Sequence, residues 1–190
     1  MTPVQPFSYQ QSSHSCWITS MHNALLHLCG EKHKVPHKIS RKLYFDSSED
    51  GVSTGEMKKI AQMIRKAYGL KIFTYKNGKI TSKLIRKALG REGAAIICDT
   101  NSGTHSLLLT GIRGEELMAF DPNWENVADC RTSRGRFYCC PYGDSERGLL
   151  NPRHNVSITL SHLMKEPSGK RERFIMGNPR NRNLLVLSRN

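Results

Sequence analysis

The feature that most restricts the fold is the close spacing of three short apolar runs in the middle of the chain. They span residues 94–98, 105–112 and 117–120, and only a short connection around Gly114 separates the last two. Strands joined so closely pair as antiparallel hairpins, because a parallel pair needs a crossover of about a dozen residues or more. The centre of the chain therefore predicts an antiparallel β-sheet.

The first half of the chain has helical periodicity instead. Apolar residues recur at three- and four-residue steps over residues 16–28, 54–68 and 81–89, and each segment is followed by a glycine. Glycine is favoured just after the last residue of a helix, so these positions predict three helix ends. One or two further helical turns are predicted at 39–45. Helices followed by closely joined strands are typical of an α+β domain.

The length and the N-terminus predict one domain without a membrane segment. The 190 residues divide into a helical part over about 1–92 and an antiparallel sheet part over about 93–190. Further strands are predicted at 70–75, 136–140, 155–160 and 184–187. No apolar run reaches the ~18 residues of a transmembrane helix, and the start lacks the pattern of a cleaved signal peptide. We expect synthesis in the cytoplasm; secretion into a host cell would use a route without such a signal.

The positive charge is large and uneven. The formal net charge is +13, and residues 56–91 hold eleven Lys or Arg against one acid. Such a surface attracts acidic protein, nucleic acid or acidic lipid, although a solvated surface without a partner is the simpler alternative. The residues that we expect to contact an anionic partner are Lys58, Lys59, Arg65, Lys66, Lys83, Arg86 and Lys87. Aromatic residues are not interleaved with them as a stacking platform for single strands requires.

Cys16 lies in the first turn of the first predicted helix. Unpaired backbone N–H groups and the helix dipole favour negative charge there, and this lowers the pKa of a thiol below its usual ~8.5. The thiolate is the form that attacks a substrate. An unreactive buried thiol is the alternative at this point, because most free cysteines are of that kind.

Three further residues have the spacing of partners for this thiol. His105 begins the second apolar run and Asp121 follows the third, 16 residues later, so both lie at one end of the predicted hairpin. The carboxylate could hold one imidazole nitrogen while the other faces a thiol. Gln10 lies six residues before Cys16, where its amide could join the backbone N–H of Cys16 in an oxyanion hole; Gln11 competes for this role.

These residues resemble the papain-like cysteine proteases in order and spacing. Ser15-Cys16-Trp17 keeps the last three positions of the papain-type C-G-S-C-W signature. The short chain and Asp121-Pro122 look most like the bacterial C39-like peptidases and the papain-fold effectors that bacteria inject into host cells. The resemblance covers about residues 9–125. It implies that the cysteine helix packs on an antiparallel sheet that carries the histidine and the aspartate.

The resemblance implies a role for each residue that matches. Cys16 would be the nucleophile, His105 its ion-pair partner and general acid/base, Asp121 the group that orients His105, and Gln10 the oxyanion donor. The residues expected beside the site are Trp17, Gln11 and Thr104. No cofactor and no metal are implied.

Three functions compete for this sequence. The first is a cysteine protease of restricted specificity, which forms an acyl-enzyme with a protein or peptide substrate, with acidic substrates favoured by the charge. The second is glutamine deamidation or transamidation, because the same residues attack a side-chain amide in the same way. The third is a binding module with a basic face and no catalysis.

Overall fold

Seven strands of the described residues form one antiparallel sheet, and the last of them along the chain lies inside it. The computed structural model describes residues 7–10, 14–30, 52–90, 93–100, 104–123, 137–139, 153–168 and 172–189. The strands are β1 (Lys71–Lys76), β2 (Ala94–Thr100), β3 (His105–Arg113), β4 (Glu116–Phe120), β5 (Phe137–Cys139), β6 (Val156–Thr159) and β7 (Asn183–Ser188). Their order across the sheet is β1-β7-β2-β3-β4-β6-β5. The chain thus places β7 between β1 and β2, and all neighbours are antiparallel.

Four α-helices accompany the sheet in the described part of the chain: α1 (Cys16–Cys29), α2 (Thr54–Tyr68), α3 (Ser82–Leu89) and α4 (Leu160–Leu163). Local sequence explains the ends of α2. Ser53 and Glu56 form a capping box, in which each side chain bonds to the backbone N–H of the other. Gly69 ends the helix in the left-handed conformation, at φ 65°, and its N–H donates to the carbonyl of Arg65.

Two buried apolar layers cover the two faces of the sheet. The α1 layer lies between the sheet and helices α1 and α2, and includes Met21, Leu25, Ile64, Ile97, Leu108 and Phe120. The α3 layer lies on the opposite face, under α3 and α4, and includes Ile85, Leu89, Ile96, Leu107, Leu109, Leu117 and Ala119. Side chains of one strand alternate between the two layers, as Ile96 and Ile97 do, because the strand period is two.

The residues of the predicted basic surface lie on two helices that cover opposite faces of the sheet. Four of its cations belong to α2 and three to α3, and these helices pack on opposite faces of the sheet. Helical periodicity predicts which side of a helix is buried but not which face of a sheet it covers. In α3, moreover, Arg86 donates to the carbonyl of Gly114 at 2.7 Å and forms an ion pair with Glu115.

A β-bulge interrupts the hairpin of β3 and β4. Near the turn Ile112 pairs with Leu117, but farther along Leu109 pairs with Ala119, so Thr110 is an extra residue in β3. Because side chains alternate between faces, one extra residue reverses the face that the rest of β3 presents. The bulge keeps the apolar residues on both sides of it in the α3 layer.

The structure confirms the α+β class and most of the predicted elements. Strands and helices lie where periodicity predicts them, within a few residues at their ends. The sheet also crosses the predicted division near residue 92, because β1 belongs to it through its pairing with β7. The helical turns predicted at 39–45 lie outside the described residues, as do the ends of the strand predicted at 136–140. Among the described residues, no helix combines the length and the apolar character that crossing a membrane requires.

Leu108→Ala tests the central position of β3. Leu108 is fully buried in the α1 layer, so its truncation should lower the free energy of unfolding by about 2–5 kcal/mol. The matched control is Phe73→Ala in the edge strand β1, where the side chain is 49% exposed and the loss should be about 1 kcal/mol or less. Urea unfolding measures both. Equal losses would contradict this arrangement of the sheet.

Candidate active site

Cys16 is the first residue of α1, and its thiol faces the beginning of β3. Burial raises the pKa of this thiol, but a hydrogen bond and positive charge from His105, together with hydrogen bonds from Ser106, outweigh burial and lower the pKa below its ordinary value. The first-turn N–H groups of α1 add a favourable field for negative charge. The local surroundings therefore favour a thiolate.

His105 lies between the thiol and a buried carboxylate. Its Nε2 is 2.7 Å from Oδ1 of Asp121, and the two side chains are 9% and 0% exposed. Burial lowers the pKa of His105, but the hydrogen bonds and charges of Asp121 and Cys16 raise it to about 10. Because Nε2 is engaged by Asp121, Nδ1 is the ring nitrogen left for the thiol. The three side chains thus form one chain of contacts.

The bulge at Thr110 sets the register of β3 and β4 on the side where the two strands meet the site. Beyond the bulge, Leu109 pairs with Ala119 and Leu108 with Phe120. His105 is the first residue of β3, and Asp121 directly follows the last residue of β4. The two therefore lie at the same end of the paired strands, where Nε2 of His105 and Oδ1 of Asp121 are 2.7 Å apart.

The segment 7–10 places the backbone of Gln10 against Pro122, the residue after Asp121. The backbone N–H of Gln10 donates to the carbonyl of Pro122 at 2.8 Å, and the ring of Phe7 packs edge-on against Phe120 at 5.3 Å. The side-chain oxygen of Gln10 is buried and has no hydrogen-bond partner among the described residues. No hydrogen bond to this oxygen therefore fixes the orientation of the Gln10 amide among the described residues.

A cavity of about 300 Å³ opens next to the cysteine helix. Trp17, the residue after Cys16, forms part of its wall. The rest of the lining combines apolar side chains from α2, β2 and β7 with polar ones, among them Lys58, Lys76 and Asp99. Of the other predicted flanking residues, Thr104 is exposed directly before His105, and Gln11 lies outside the described residues.

Sequence reasoning missed Asp99, Ser106 and Asn155. Ser106 and Asp99 are paired in register across β3 and β2, and the Ser106 hydroxyl donates to Oδ1 of Asp99 at 3.0 Å. Burial raises the pKa of Asp99. The signal available was a polar residue in an otherwise apolar strand, which identifies a position to examine but not its partner. Asn155 was expected only as the first residue of a strand.

Comparison with solved structures identifies the fold of this chain. No protein-family model matches the sequence, and no curated protein matches it. The peptidase domain of Streptococcus ComA, a bifunctional ABC transporter in a quorum-sensing pathway, superposes with a TM-score of 0.54 at 10% identity, over 97% of this chain and 98% of that one. A double-glycine-motif protease from an AMS/PCAT transporter, in complex with its leader peptide, gives 0.51 at 16% identity, over 99% and 93%.

A third match comes from an animal protein. UfSP from C. elegans gives a TM-score of 0.50 at 10% identity, over 98% of this chain and 34% of that one. At these identities the matches show the fold. The chain has the papain-like α+β fold that the resemblance implied, with the cysteine helix packed on an antiparallel sheet.

The raised pKa of His105 predicts how stability depends on pH. In a Cys16→Ala background, which removes the thiol from the titration, we expect the hydrogen bond and charge of Asp121 to keep the pKa of His105 above its ordinary 6.5, since both raise it in the wild-type protein. The contribution of the ion pair to the free energy of unfolding is then complete below pH 6.5 and is lost as the pH rises towards the raised value. Urea unfolding between pH ~6 and ~10 should show this loss, about 1–2 kcal/mol larger than in Cys16→Ala/Asp121→Asn. Identical pH profiles would contradict the prediction.

Proposed function

We propose that this protein is a cysteine peptidase of papain type that cleaves a protein or peptide substrate. The observation that carries the proposal is the chain of contacts from the thiol of Cys16 through His105 to the buried carboxylate of Asp121, 2.7 Å from the imidazole. Two matched structures, described as a peptidase domain and a double-glycine-motif protease, support peptide-bond cleavage. The second was solved with a leader peptide, which supports a peptide as substrate.

In the proposed first stage, the thiolate of Cys16 attacks the carbonyl carbon of the substrate. The carbonyl oxygen becomes an oxyanion, which the backbone N–H of Cys16 and the side-chain amide of Gln10 stabilise. The tetrahedral intermediate collapses, the C–N bond breaks, and the His105 imidazolium gives its proton to the departing amine. A thioester on Cys16 remains.

In the second stage, neutral His105 takes a proton from water as the water oxygen attacks the thioester. The C–S bond breaks, the acid product leaves, and the thiolate–imidazolium pair is restored. Asp121 keeps its hydrogen bond to Nε2 throughout, so that Nδ1 always faces the reacting atoms and the imidazolium remains stabilised. Protons and electrons balance without a cofactor.

The cavity beside Trp17 supports a restricted specificity. Because Trp17, the residue after Cys16, lines it, we infer that it receives a side chain of the substrate, and its walls are largely apolar. Its charged lining residues are Lys58 and Lys76, which are cationic, and one carboxyl group, that of Asp99. A peptide with an apolar side chain and an acidic neighbour is the substrate that this lining favours.

A peptide library from a digested cell lysate tests the proposal. The wild-type protein should generate new peptide termini, detected by mass spectrometry, and Cys16→Ala should generate none. Gln10→Ala should lower the cleavage rate about 10²–10³-fold, because it removes one oxyanion donor. The matched control is Cys29→Ala, at the other end of α1, where burial raises the pKa of the thiol; its cleavage should equal the wild type.

The same spectra separate the competing reactions. A gain of about 1 Da on glutamine without cleavage would replace the peptidase by a deamidase on the same residues. New termini that persist in Cys16→Ala would show that Cys16 is not the nucleophile. Neither cleavage nor a mass gain with the wild-type protein would contradict the proposed function.

A further inference from the structure

Asn155 is a buried amide at the point where β4 ends. It directly precedes β6, is 1% exposed, and its backbone N–H donates to the carbonyl of Ala119 at 3.1 Å. Its side chain accepts from the N–H of Asp121 at 2.7 Å and donates to the carbonyl of the same residue at 2.8 Å. A single side chain therefore binds both backbone polar groups of Asp121.

These two bonds fix the backbone that carries the carboxylate. β4 ends at Phe120, so Asp121 is beyond the strand and its buried N–H and carbonyl need partners from elsewhere. Two bonds to one rigid amide restrict the backbone dihedrals of Asp121, and those dihedrals set the direction of its side chain. The N–H of Asn123 also donates to Oδ1 of Asp121, at 2.8 Å, on the atom that faces His105.

The same amide reaches the segment that carries Gln10. Nδ2 of Asn155 donates to the hydroxyl of Tyr9 at 3.2 Å, and the ring of Tyr9 packs against Phe120 at 5.1 Å. The next residue, Gln10, donates its N–H to Pro122. Residues 9–10 and 121–122 therefore meet at one junction, and Asn155 contacts both sides of it.

We propose that Asn155 is a positioning residue for both halves of the active site. It directs Asp121 towards His105 and, through Tyr9, holds the backbone of Gln10, the proposed oxyanion donor. The inference rests on the proposed function, because it assigns Asn155 a role in the same reaction. Asn155 acts through these residues and does not itself contact the reacting atoms.

Asn23 provides a matched comparison within the chain. It is fully buried in α1, and its amide binds both backbone groups of Ser8, each at 2.9 Å. It therefore makes the same kind of contact as Asn155, but only with the segment that leads to Gln10. Asn23→Ala and Tyr9→Phe should disturb that segment and leave Asp121 in place.

Two reactions of Cys16 distinguish an effect on Asp121 and His105 from an effect on Gln10. Alkylation by iodoacetamide displaces iodide at a saturated carbon and forms no oxyanion, so its pH profile reports the thiolate–imidazolium pair alone. Acetylation by p-nitrophenyl acetate passes through a tetrahedral oxyanion, expels p-nitrophenolate and leaves an acetyl thioester, so its rate also depends on Gln10. Peptide mass spectrometry follows both modifications at Cys16 in the full chain.

Asn155→Ala should affect both reactions. The midpoint of its alkylation profile should rise towards the ordinary ~8.5, so that alkylation at pH ~6 falls about 10-fold or more. Its acetylation at a pH where the thiol is fully ionised should also fall about 10-fold. Tyr9→Phe and Asn23→Ala should keep the wild-type alkylation midpoint and lose only acetylation rate, since Asp121 is undisturbed.

Several outcomes would overturn the inference. A folded Asn155→Ala protein, judged by circular dichroism, with the wild-type alkylation midpoint would show that Asn155 does not position Asp121. Unchanged acetylation in that protein would remove its role towards Gln10. If Asn155→Ala does not fold, Asn155→Ser is measured by the same two criteria. A wild-type thiol that alkylates only near pH ~8.5 would instead contradict the proposed function and the inference together.

Discussion

The candidate site depends on the buried side chain of His105, which lies between the thiol of Cys16 and the carboxylate of Asp121. Asp121 has no contact with solvent, and a lone carboxylate there would be costly, so it needs a hydrogen-bonded partner of opposite charge. His105 provides this partner, and its own positive charge then stabilises the thiolate of Cys16. The N–H groups at the start of α1 stabilise the same thiolate from the other side. Each of these three side chains thus offsets the free-energy cost of burying the charge on its neighbour.

The fold brings these groups together from distant parts of the chain. The thiol comes from the helix that covers one face of the sheet, and the imidazole and carboxylate come from the ends of two paired strands. A bulge sets the register of these two strands, and Asn155 fixes the backbone just beyond the end of β4. The apolar layers on both faces make this arrangement rigid, because packed interiors resist displacement. The proposed chemistry therefore depends on the register of β3 against β4 as much as on the identity of the three side chains.

The sequence predicts the helices and strands and the residues of the candidate site. It does not predict the strand register and the long-range hydrogen bonds that bring those residues together. Turn position alone predicts that His105 and Asp121 share one end of a hairpin. It does not predict the register of the two strands, which depends on the bulge at Thr110, although a glycine at 111 inside a strand is a known sign of a bulge. The bonds of Asn155 join residues 34 and 146 positions apart, a separation that local patterns do not encode. For the same reason, the runs of Lys and Arg predict which residues are exposed but not which face of the sheet their helices cover.

The most direct test of this account is the ultraviolet absorbance of the thiolate as a function of pH, measured as the difference between the wild-type protein and Cys16→Ala. The account predicts that this absorbance persists well below the ordinary thiol pKa of ~8.5 and that His105→Ala moves its onset up to about that value. An onset near pH ~8.5 in the wild-type protein, unchanged by His105→Ala, would show an ordinary thiol and contradict the central claim.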